Sequence, residues 1–96
     1  FGDGEYPFAL TDAVLAELER TTGVGVGQLY LKIVASQFHA AELVEIIRLG
    51  LIGGGMNSQR AHELVQAYAV NRPLGELFPL ALDVLDARYN GVEAGE

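Results

Sequence analysis

Two histidines, two serines, several carboxylate pairs and two glycine runs are the residues of this chain whose types could support chemistry. His39 and His62 are the histidines, with Glu42 and Glu63 close by. Neither has a second ligand at the i+4 spacing of a helical metal pair, and a catalytic zinc needs three protein ligands. No metal site is expected; both read as surface groups at helix starts. Ser36 and Ser58 sit in no G-x-S-x-G elbow and have no triad partner near them in sequence. Glu17/Glu19 and Asp83/Asp86 fall on the polar sides of amphipathic helices, where solvation explains them without acid–base work. No catalytic residue is assigned, and an enzyme is not expected.

The glycine runs fail the tests for phosphate chemistry. GVGVG, residues 23–27, lacks the G-x-G-x-x-G spacing and joins two helices rather than a strand to a helix. Gly53, Gly54 and Gly55 precede a helix and could turn backbone N–H groups toward an anion, but no P-loop lysine follows. Both runs read as turns, and no cofactor is expected.

Charge narrows the partners. Thirteen acids oppose six bases, a net charge of −7, with seven acids and three bases in residues 1–48 and six and three in residues 49–96. An evenly acidic chain repels phosphate backbones and anionic lipid headgroups, so neither nucleic acid nor a membrane surface is expected as a partner. A basic protein remains compatible. There is no cysteine, which excludes a disulfide framework and thiolate zinc sites and fits a reducing cytoplasm. No segment approaches the ~20 apolar residues that span a bilayer. The chain opens on Phe1 rather than Met, so its natural start is expected upstream.

The elements that must position any site are mostly helical. Tyr6, Phe8 and Leu10 alternate with Glu5, Pro7 and Ala9 after the turn dipeptide Asp3-Gly4, which predicts an N-terminal β-strand or half-hairpin, at a sheet edge because of Pro7. From Thr11, a plausible N-cap, the period becomes helical: Val14, Leu15 and Leu18, with Gly23 as the stop. Val26, Leu29, Tyr30, Ile33 and Val34 predict the buried face of a second helix. A third runs from about His39 or Ala40 to about Leu51, and a fourth is capped by Asn57 or Ser58, with Ala61, Leu64, Val65 and Tyr68 as its stripe. Asn71-Arg72-Pro73 breaks it, because a residue before proline disfavours the helical region. A fifth carries Leu77, Leu80, Ala81, Val84 and Leu85, with Pro73 or Pro79 in its first turn and Gly91 at its end. The expectation is a single mainly α domain over residues 1–96: an extended strand or hairpin over 1–10, a compact bundle of about five short helices over 11–91, and a frayed tail over 92–96.

One stretch is less ordinary. Residues 46–56, IIRLGLIGGGM, are apolar on almost every side, with Arg48 as the single charge. A helix apolar all round is buried either in its own core or against a partner, and both readings stay open here.

The block EIIRLGLIGGG (residues 45–55), with Ala61, Leu64-Val65, Tyr68, Arg72-Pro73-Leu74 and Pro79-Leu80-Ala81, resembles a specific family. Phe8, Leu10-Thr11, residues 15–19 (LAELE) and Thr22-Gly23 fit its opening. It is the family of small tail proteins of phages and gene transfer agents, encoded just upstream of the tail tape-measure protein, and the likeness covers roughly residues 5–91. It implies a non-enzymatic role in building a tail, in a bacterium carrying a prophage or gene transfer agent cluster. The family carries the label tail tube protein, while its size and gene position look more like a tail assembly chaperone. Tube subunits typically join into a ring through β-sheets, and a helical chain better suits holding the tape-measure protein soluble in the bacterial cytoplasm. The alternative is a structural component, tube or adaptor, retained in the virion tail.

The family supplies no binding residues to transfer. From chemistry alone, the partner-binding residues are placed in Arg48, Leu49, Leu51, Ile52, Gly53, Gly54, Gly55 and Met56, with Arg72 and Pro73. Arg48 has two further readings, pairing with an acid or capping the last carbonyls of the third helix. The expected partners are the tape-measure protein or other tail proteins, and homo-oligomerisation is left open.

Overall fold

In a computed structural model, which describes residues 4–91, five helices follow one another: α1 (Asp12–Thr22), α2 (Val26–Val34), α3 (Ala40–Gly53), α4 (Ser58–Tyr68) and α5 (Leu74–Asn90). Their ends follow local hydrogen-bonding rules. The Thr11 hydroxyl accepts the Val14 N–H at 3.3 Å and starts α1, and Gly23 closes it with a left-handed φ of 77°. Asn57 accepts the Arg60 N–H at 2.7 Å and starts α4. Gly25 has no side chain to cap α2, and Glu19 reaches over from α1 to accept the Val26 N–H at 2.8 Å. Beyond α4, Asn71 takes a left-handed φ of 66°, a conformation asparagine tolerates better than most residues.

Two helix ends differ from the expected ones. α3 continues past Leu51 to Gly53 and is closed by Gly54, so the first glycine of the triplet belongs to the helix. Pro73 is the residue before α5, whereas Pro79 lies inside that helix rather than in its first turn. There it removes the N–H that would bond the carbonyl of Gly75, a loss of one hydrogen bond in a 17-residue helix.

The N-terminal β-strand or hairpin is overturned: no strand occurs among the described residues. Asp3, half of the expected turn, lies outside them. The alternation itself is present, with Leu10 buried, Tyr6 and Phe8 half-buried, and Glu5, Pro7 and Ala9 exposed. What the extended segment lacks is another strand. It lies along α3, and the Ala9 N–H donates to the carbonyl of Gly50 at 3.0 Å, a carbonyl that also accepts the Gly54 N–H at 3.0 Å. Period-two burial thus reports an extended segment on an apolar surface, and the surface is a helix.

α3 is the centre of the molecule, packed against α1, α4 and α5, while α2 packs on α5 and α1. Leu43, Ile46, Ile47 and Leu51 are fully buried and Leu49 nearly so. Leu18, Leu29, Ile33, Leu64, Val65, Ala81 and Leu85 close the same core from the other helices. The apolar run is therefore covered by its own chain as far as Leu51, the outcome expected when one helix has neighbours on several sides.

Candidate partner-binding surface

The ten residues singled out from sequence fall into three environments. Leu49 and Leu51 are core residues, so they reach a partner only through the fold they support. Arg48 is half-buried, and its guanidinium bonds both oxygens of Glu45 one turn back, at 2.9 and 2.6 Å. It is the acid-paired reading that holds. That hydrogen bond, reinforced by the charge of Glu45, raises the Arg48 pKa. Ile52, Gly53, Gly54 and Met56 are half-buried and Gly55 is exposed. Arg72 and Pro73 are exposed, with Arg72 at 3.5 Å from Glu76. α4 is 11 residues long, about 16 Å at 1.5 Å per residue. Arg72 and Pro73 follow its C-terminal end and Gly53 to Met56 precede its start, so the fold separates these two groups.

The glycines of the apolar run serve a close backbone approach. A Cβ on Gly53 would collide with the Ala9 carbonyl, and one on Gly54 with the Pro7 carbonyl. A Cβ on Gly50 would sit 3.0 Å from Val84 and 3.1 Å from the Phe8 ring. Three glycines thus form the bed of residues 7–9. At its edge Pro7, Leu51, Gly54, Gly55 and Met56 line an open depression of about 250 Å³. The backbone of the expected partner surface is in large part already covered by the chain's own N-terminal segment.

A second surface was not singled out from sequence. On α2, Leu31 is 65% and Val34 54% exposed, and with Gly27 they lie on one helical face at i, i+4 and i+7. Of the expected buried stripe, Leu29 and Ile33 occupy the interior, whereas Val34 faces outward. Beside this face Tyr30 stacks on Tyr89 of α5 with ring centroids 4.3 Å apart and planes 5° from parallel. The Tyr30 hydroxyl donates to Asp86 at 2.9 Å. At the other end of the α2–α5 contact Phe38 stacks on Phe78 at 5.6 Å. The signal was present in VGQLYLKIV, which has a single charge, Lys32, and apolar residues on more than one side.

Titratable groups serve the framework. The Glu42 side chain is buried, accepts Lys32 Nζ at 2.7 Å and the His39 N–H at 2.8 Å, and so ties α2 to the start of α3. Burial acts to raise its pKa, but the Lys32 and His39 bonds and the Lys32 charge together outweigh that and hold it below the ordinary value. His39 precedes α3 as its N-cap residue and His62 is an exposed α4 residue. Among the described residues no group of three or more His, Cys, Asp or Glu could hold a metal ion. No helix among them is long and apolar enough to cross a membrane.

A family model described as phage tail tube protein, GTA-gp10, matches residues 1–91. No curated protein and no solved structure matches the chain.

Proposed function

The chain belongs to the family described as phage tail tube protein, GTA-gp10, and from that membership we propose that it is a tail assembly protein acting as a chaperone for the tape-measure protein. What carries the reading is an exposed apolar helix face, Leu31 and Val34 on α2, in a molecule with no strand among residues 4–91. A subunit that polymerises through sheets needs a strand edge to offer its neighbour. A helical surface of this kind instead takes the apolar side of an amphipathic helix, and long helical segments of a tape-measure protein would present many such sides. Turnover plays no part in this reading.

The family's description as a tail tube protein favours a second reading, a structural tube or adaptor component that stays in the particle. Light scattering behind size exclusion separates the two. The protein would be run alone and after co-expression with fragments of a phage or gene transfer agent tape-measure protein. A small species alone that forms a defined complex with the fragments is the expected result. Rings or tubes formed by the pure protein, without affinity for the fragments, would overturn the chaperone reading in favour of the structural one.

A further inference from the structure

We infer that the outer face of α2, Gly27, Leu31 and Val34 with the Tyr30–Tyr89 stack, docks a partner helix whose apolar stripe is flanked by lysine or arginine. The inference rests on the binding role proposed above and adds the surface and the chemistry of what covers it. α2 carries one charge, Lys32, whose ammonium is committed to Glu42 and whose side chain is 19% exposed. Around the face the remaining charge is acidic. Glu19 caps the N-terminal end of α2 through Val26. Asp86 borders it through Tyr30, and the exposed Asp83 stands three residues earlier on α5.

The bases are held elsewhere. Arg20 pairs with Glu17, Arg48 with Glu45, Arg72 with Glu76 and Arg88 with Asp12, while Arg60 lies on α4, which packs on α3 and no other helix. An apolar stripe with an acidic border selects a cationic amphipathic helix and disfavours an anionic one. The same border argues against a second copy of this chain. Pairing two such faces would set Glu19, Asp83 and Asp86 against their own kind in a molecule of net charge −7. Gly27 has nothing within 4 Å of where a Cβ would stand, so a helix axis can approach closely there.

The test is fluorescence anisotropy with labelled synthetic helical peptides about five turns long. One has a leucine stripe flanked by lysines, a second has glutamates in their place, and a third has the lysine composition scrambled. The intact protein should bind the first at least about tenfold more tightly than either other peptide. Leu31→Asp/Val34→Asp should lose that binding while keeping its helical circular dichroism. Asp83→Lys should weaken it several-fold, and Glu63→Lys on α4, the same charge change at a distance, should not. Equal weakening by Asp83→Lys and Glu63→Lys would reduce the effect to net charge and overturn the site. So would an unaltered Leu31→Asp/Val34→Asp variant, or a wild-type dimer that this variant dissociates. Tape-measure fragments retained equally by wild type and Leu31→Asp/Val34→Asp would remove this face and leave the chaperone reading standing. Selective peptide binding without retention of the fragments would keep the face and remove that partner.

Discussion

Ala9 and Gly50 are joined by a backbone hydrogen bond of 3.0 Å across 41 positions of sequence, and this contact lays an extended segment along the central helix. Gly53 and Gly54 continue the contact, since their missing side chains are the space the Ala9 and Pro7 carbonyls fill.

Gly53→Ala should therefore destabilise the fold by about 2–4 kcal/mol, because the backbone of residues 7–9 must lift to admit a methyl group. Gly75→Ala, on α5 with open space around its Cβ position, should instead stabilise by about 0.5–1 kcal/mol through helix propensity. Urea denaturation of the two variants checks the contrast. A Gly53→Ala protein as stable as wild type would show that the segment does not need this close approach.

Leu51→Ala should cost about 2–5 kcal/mol, the range for truncating a fully buried leucine. Leu51→Asp should leave no folded protein, so that substitution reports on the core and not on a partner. Thermal unfolding followed by circular dichroism is the measurement.

Glu42→Gln should lower stability by about 1–3 kcal/mol at neutral pH, as the buried acceptor of Lys32 and His39 loses its charge. The pH dependence follows from the depressed pKa of the folded state. Stability from this carboxylate is complete above the ordinary glutamate value of about 4.3 and is lost as the pH falls through the lower folded value. The gap between wild type and Glu42→Gln should accordingly narrow on acidification. A gap that stays constant from neutral pH down to about pH 3 would exclude Glu42 as its source.

Ser36 holds a left-handed φ of 59° just after α2, a conformation that disfavours a side chain by about 1 kcal/mol. Ser36→Gly should relieve it and raise the melting temperature by about 4–8 °C for each kcal/mol gained in a domain of this size. Differential scanning calorimetry reads the shift; an unchanged or lower value would mean the added chain entropy offsets the relief.

The sequence by itself determined what is settled within a few residues. Thr11, Gly23, Asn57 and the Asn71-Arg72-Pro73 break mark helix ends through hydrogen bonds and backbone limits that act over one turn, and the 3.6-residue period marks the helices between them. It also carried enough of the family's pattern to be recognised across residues 5–91. Only the tertiary structure decided what each apolar surface meets. Tyr6, Phe8 and Leu10 alternate as a strand would, but alternation records one buried side and is silent on whether a strand or a helix supplies it. Gly53 and Gly54 read as a turn because their role depends on residues 7–9, more than forty positions away. Leu31 and Val34 look as apolar as Leu29 and Ile33. The packing of α2 on α5 and α1 leaves the first pair facing water and buries the second.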